Sequence, residues 1–198
     1  MADLRFIHAT MSAGKSTMAL QIHWQLVQSG RNVELWTFGD RSREPEVTSR
    51  LGIAAPCYVQ QPDLDLSDQL PRLVDQHVSV VVIDEAQFAS TEQVDWLATL
   101  VDLHGIDVYC FGLGADFLLN VFPGSARLFA VADEVSELPV VAYCWCGARG
   151  RCNARVVNGS VQRAGAQRVI GDVDAGTSTV GYQVLCRRHY HSGELGPR

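Results

Sequence analysis

The sequence predicts an α/β fold: a mostly parallel sheet flanked by helices, with a small, cysteine-rich β/loop unit at its C-terminal end. Three observations carry that expectation. Short apolar bursts alternate with helical patterns as far as about residue 138. A Gly-Lys-Ser turn stands between the first burst and the first helix. Beyond residue 139 the pattern changes to short β-like runs, loops and cysteines.

A chain of 198 residues suits one domain with an appendage. Its residues are 47% hydrophobic and 19% charged, enough apolar surface for a sizeable core. The net charge of −6 calls for neither a nucleic-acid nor a membrane partner. No apolar run approaches the ~20 residues of a membrane helix. The start, MADLRFIHA, lacks the basic and long apolar regions of a signal peptide, so the expected location is cytoplasmic. In that reducing compartment, clustered cysteines point to metal before disulfides.

Taken in order, Leu4–His8 reads as a strand and Lys15–Gln28 as a helix closed by Gly30. Asn32–Thr37 reads as a second strand, and Leu66–Gln76 has helical spacing. Val78–Ile83 is a continuous apolar run, as in a strand buried on both faces. Ser90 with Gln93 forms a capping-box pattern at the next helix start. Ile106–Leu113 is another buried strand. Alternation of this kind implies parallel strands joined by right-handed crossovers. Further on, Asn158-Gly159 lies between β-branched residues and signals a hairpin. The expected divisions are a nucleotide-binding domain over 1–138, a metal-stabilised unit over 139–191, and a disordered tail over 192–198.

Residues 8–20, HATMSAGKSTMAL, carry the first chemistry. A strand, a loop, Gly-Lys-Ser and a helix in this order form a phosphate cradle. Ala9, Thr10, Met11, Ser12, Ala13, Gly14, Lys15, Ser16 and Thr17 are the expected ATP contacts, with Lys15 reaching the β- and γ-phosphates and Ser16 ligating Mg²⁺. The pattern G-x-x-x-x-G-K-[ST] would place glycine where Ala9 stands. With φ above zero, alanine costs about 1–2 kcal/mol there. With φ below zero it costs almost nothing. The second signal is VVVIDEAQF, residues 80–88, a buried strand ending in carboxylates. Asp84 is placed to hold Mg²⁺, and Glu85 to accept a proton from an attacking hydroxyl.

Taken together, these motifs resemble the thymidine kinases of the cellular, tetrameric type (type II, with a zinc-bearing lasso) over about residues 4–191. ATMSAGKST resembles that family's GPMFSGKST, VVVIDEAQF its V-I-D-E-x-Q-F, and GLGADFLLNVFPGS its G-L-D-x-D-F followed by P-F. ADEVSEL resembles its next helical turn, and GYQVLCRRHY its closing Y-x-x-x-C-R-x-C/H-Y. The resemblance implies a P-loop (RecA-like) sheet, a homotetramer, and ATP-dependent phosphorylation of thymidine, with deoxyuridine as a further substrate. It makes Glu85 the general base on the 5′-hydroxyl. It lines the nucleoside pocket with Met11, Phe88, Leu113 and Phe117, and places Tyr182 on the closing loop. Two departures stand out. Asp40 is followed by Arg41 and Arg43 where the family has Asp-x-Arg, so neither arginine receives a role. Gly114 replaces the family's aspartate after Gly-Leu.

The resemblance also implies a structural zinc. Cys144, Cys146, Cys186 and His189 are the expected ligands, with Cys152 as the alternative to Cys144. The family's first pair is C-x₂-C, and Cys-Trp-Cys is one residue shorter. Cys57 and Cys110 read as small buried hydrophobes. His8, His23, His77 and His104 read as packing or surface residues. Two other readings fit the same motifs: another nucleoside kinase on this frame, and a non-catalytic protein binding ATP and zinc.

Overall fold

Residues 1–39, 45–61, 64–167 and 180–197 are described in the computed structural model. Asp40, Arg41 and Arg43 lie outside them. The first strand, β1 (Leu4–Ala9), leads through a five-residue loop into α1 (Lys15–Gln28). Next come β2 (Val33–Phe38), a short hairpin of β3 (Glu46–Thr48) and β4 (Ala54–Pro56), and β5 (Tyr58–Gln60). A 3₁₀ turn at Leu66–Gln69 runs into α2 (Leu70–Asp75). Thus the stretch 66–76, expected as one helix, is two pieces. Pro71 stands in the first turn of α2, where its missing N–H and fixed φ are tolerated only at a helix start.

The central segment is β6 (Val80–Asp84), a 3₁₀ turn at Ala86–Phe88, α3 (Thr91–His104), β7 (Asp107–Leu113), α4 (Pro123–Val131) and β8 (Glu134–Glu137). Six strands form one sheet in the order β5-β2-β6-β7-β1-β8, every neighbouring pair parallel. The strand carrying Asp84 is therefore separated from the phosphate-loop strand by β7. Both still end at the same edge, where the loops form a crevice.

β6 shows why its sequence is apolar throughout. Val81 and Ile83 face a core built with Val94, Leu97 and Leu100 of α3, Leu73 of α2 and Leu128 of α4. Val80 and Val82 face the other way, onto Ala19 and Leu20 of α1. With helices on both sides, neither face tolerates a polar residue. Ser90 caps α3 as expected: its Oγ accepts from Gln93 N at 3.2 Å, and Gln93 Oε1 accepts from Ser90 N at 2.9 Å.

ADEVSEL is not a helical turn. Asp133 grips the start of β1 from both sides: its carboxylate accepts from Leu4 N at 2.8 Å, and its own N–H donates to Leu4 O. The chain is thereby laid along the open edge of β1, and Glu134–Glu137 pairs with Arg5–His8. Beyond it, β9 (Cys152–Val157), β10 (Ser160–Val161) and β11 (Val180–Leu185) form a three-stranded antiparallel sheet, followed by α5 (Arg187–Ser192). Asn158 and Gly159 turn β9 into β10 with φ of 50° and 75°, the left-handed pair of a tight hairpin. Residues 193–197, expected as part of a disordered tail, fold back instead. Gln183 Nε2 donates to Leu195 O at 3.0 Å and Trp145 Nε1 to Glu194 O at 3.1 Å.

Candidate active site and metal centre

The phosphate loop takes its left-handed residues at Ser12 (φ 61°) and Gly14 (φ 87°). Ala9 is the last residue of β1 and has negative φ, so alanine is unstrained there. Its side chain is buried against Ala13 and Leu138. Lys15 Nζ donates to Thr10 O at 3.1 Å, bracing the loop across its base. Burial lowers the Lys15 pKa, while the nearby Glu85 and Asp84 carboxylates pull it back up.

Asp84 closes β6 and is buried, beside the Ser16 hydroxyl that hydrogen-bonds to it. Burial, then the neighbouring Glu85 charge, pushes its pKa up to about 6. Its Oδ1 has no hydrogen-bond partner among the described residues. A buried carboxylate oxygen with nothing to bond, next to a serine hydroxyl and a phosphate cradle, fits a hard cation such as Mg²⁺.

Glu85 follows in the left-handed region, φ 56°, which turns its side chain out of the strand direction. Gln87 holds it: Nε2 donates to the Glu85 carboxylate, and Oε1 accepts from Leu113 N at 3.0 Å. These residues open onto a cavity of about 650 Å³. Its walls include residues 11–17, Glu85, Phe88, Leu113, Phe117 and Tyr182. Ala9, Thr10 and Asp84 stand behind the wall. Gly114 is open: an added Cβ would meet His8 and Phe129 only at 3.8 Å.

Sequence reading missed Gln87, Asn153 and Arg155. Arg155 is buried, with its guanidinium 3.7 Å above the Phe117 ring and Nε donating to Tyr182 Oη at 3.0 Å. It thus fixes two side chains of the pocket. Asn153 and Gln167 also line the cavity. Asn153 and Arg155 act through partners 142 and 27 positions away, which no spacing rule marks, and Gln87 joins its neighbour Glu85 to the distant Leu113.

The ligating atoms of Cys144, Cys146, Cys186 and His189 all lie within 4.8 Å of one another. Tetrahedral zinc sets S···S edges of about 3.8 Å and S···N edges of about 3.5 Å. Cys146 and Cys186 Sγ are 4.0 Å apart, and His189 Nδ1 lies 3.4 Å from Cys144 Sγ and 3.5 Å from Cys186 Sγ. Burial raises the Cys144 thiol, yet hydrogen bonds with the Cys146 and Cys186 backbone and with His189 bring it down to about 6. Three thiols and an imidazole at these spacings fit zinc. His189 Nε2 faces the Glu194 carboxylate at 3.4 Å, and Trp145 stacks on the ring at 4.3 Å. Cys152 is not in the cluster. It packs with Ala154, Leu185 and Tyr190, where burial raises its pKa. Cys110 is fully buried as expected, whereas Cys57 is half-buried.

Among the described residues no helix is long and apolar enough to cross a membrane. Residues 2–190 match the family model for thymidine kinase. The thymidine kinase of Streptomyces avermitilis is 44% identical over 195 residues, covering 96% of this chain and 89% of that protein. That of Cutibacterium acnes is 42% identical, covering 99% and 91%. That of Novosphingobium aromaticivorans is 40% identical, covering 96% and 97%. With nearly its whole length matched by the family model and by these relatives, and with a phosphate loop, a carboxylate pair and a Cys₃His cluster in its structure, the chain belongs to the thymidine kinase family.

Proposed function

We propose that the chain transfers the γ-phosphoryl group of ATP to the 5′-hydroxyl of thymidine, and of deoxyuridine, in pyrimidine deoxynucleotide salvage. The observation that carries this is the placement of Glu85 and Lys15 on one cavity whose other wall is apolar and aromatic. A flat pyrimidine is accommodated by Met11, Phe88, Leu113, Phe117 and Tyr182, with backbone groups reading its polar edge.

In this reading Glu85 withdraws the hydroxyl proton as the oxygen attacks the γ-phosphorus in line. Gln87 keeps the carboxylate aimed. Lys15 and the amides of residues 13–17 stabilise charge spreading over the phosphoryl oxygens. Ser16 and Asp84 would hold Mg²⁺, which when bound neutralises phosphate charge and orients the polyphosphate. The zinc cluster takes no part in chemistry. It would tie the turn that carries Cys144 and Cys146 to the end of β11 and to α5, and so support the sheet that carries Asn153, Arg155 and Tyr182.

A homotetramer in the cytoplasm belongs to the same proposal. Trp24 and Val27, exposed on α1, are apolar surface of the kind such an assembly covers. The test of specificity is a panel of nucleosides incubated with Mg²⁺-ATP and scored for 5′-monophosphate. Thymidine and deoxyuridine are the expected substrates. Product from a purine nucleoside or cytidine, and none from thymidine, would reassign the kinase to another base.

A further inference from the structure

Three consecutive residues after β7 are each held by the C-terminal unit. Asn153 Nδ2 donates to Ala115 O at 3.2 Å, Gln167 Nε2 to Asp116 Oδ2 at 3.1 Å, and Tyr190 Oη to Phe117 O at 2.7 Å. Asn153 does something more. Its Oδ1 accepts from Met11 N at 2.8 Å, across 142 residues of sequence. One buried side-chain amide therefore joins the phosphate loop to the strand end that follows Leu113.

Both ends of that amide are committed to backbone, so the separation of Met11 from Ala115 is set by the width of one asparagine. The Met11 N–H is spent on this contact and is not available to a phosphate. The rest of the loop is fixed by other means: Lys15 Nζ on Thr10 O, and Met18 N on Gly14 O at 3.0 Å. Asn153 itself is held in β9 opposite Val184 of β11, next to Cys152. It is thus anchored in the sheet that ends at the cluster ligand Cys186.

We infer that Asn153 is a positioning residue for the nucleoside: it fixes Met11 against Ala115 and so sets the width of the nucleoside subsite, without governing the phosphate subsite. This rests on the reading of the cavity as a thymidine site. Its signature is a split between the two substrates, which a general loss of structure does not produce.

The experiment compares the full-length wild type with Asn153→Ala and Asn153→Asp. KM is measured for thymidine and for ATP separately, with metal content and Tm alongside. Asn153→Ala removes both hydrogen bonds and is expected to raise the thymidine KM about tenfold or more, while the ATP KM stays within about twofold. Asn153→Asp keeps the acceptor for Met11 N but sets a carboxylate oxygen against the Ala115 carbonyl, so its thymidine KM should also rise while the ATP KM holds. It also decides the matter if the alanine variant does not fold. Equal rises in both KM values, or loss of metal with activity, would reduce Asn153 to a structural role. Unchanged KM values would overturn the inference outright. Failure of the wild type to phosphorylate thymidine would instead overturn the reading of the site, and is visible before any variant is compared.

Discussion

Asp84 and Glu85 are adjacent carboxylates with opposite demands. Asp84 is buried, and its pKa is raised from an ordinary 3.8 to about 6. The folded chain binds that proton more tightly than the unfolded chain. Stability is therefore lost as pH rises from the unfolded value through the folded one, and the full cost is present above pH 6. Asp84→Asn removes the charge and keeps the shape. It should stabilise the ligand-free protein at pH 8 by about 1–3 kcal/mol, a gain that fades towards pH 4. Thermal melts at the two pH values check this, and a lower Tm at pH 8 would contradict it. The same variant should lose most activity, because the oxygen left without a hydrogen-bond partner is, in the proposed reading, the one that would hold Mg²⁺. Glu85→Gln acts differently. It should lower kcat by about 10²–10⁴-fold and leave ATP affinity little changed in equilibrium titration. Near-normal turnover would remove Glu85 from the role of base.

Elements carry the site to these residues, and one tight junction is between α4 and the 3₁₀ turn after Glu85. A Cβ added to Gly124 would lie 2.4 Å from Ala89 O and 3.0 Å from Gln87 O, both backbone atoms. Gly124→Ala should cost about 1–3 kcal/mol and lower Tm by several degrees. Because the turn also aims Glu85 through Gln87, kcat should fall with it. An unchanged melting curve would mean the helix shifts freely. At this scale the sequence was most readable where burial is two-sided. The runs of β6 and β7, the span of α1 and the cap of α3 each follow from local pattern alone. It was least readable where a distant contact decides. Asp133 bonding to β1 makes Glu134–Glu137 a strand, and Pro71 splits 66–76 into two helical pieces. The carboxylates, lysine and loop of the site lie in short motifs and were legible for that reason. Gln87 stands inside VVVIDEAQF, but its grip on Leu113 is visible only in the fold, and Asn153 and Arg155 act on residues 142 and 27 positions away, which no motif records.

Across the whole molecule, the C-terminal unit is tied to the catalytic crevice through Asn153, Gln167 and Tyr190. The cluster that organises it discriminates sharply among cysteines. Cys186→Ala should lose the metal and lower Tm, whereas Cys152→Ala should retain about one zinc per chain. Metal analysis of the two purified variants checks this. Retention by the first and loss by the second would exchange their roles.

The central claim is that this phosphate loop is competent although its first position is alanine. The most direct measurement is thymidine monophosphate formation by the wild type, Ala9→Gly and Lys15→Ala under Mg²⁺-ATP. Because Ala9 ends a strand with negative φ, the wild type should turn over at a rate that Ala9→Gly does not improve, and Lys15→Ala should be inactive. An inactive wild type, with activity appearing in Ala9→Gly, would show that the alanine had disabled the site.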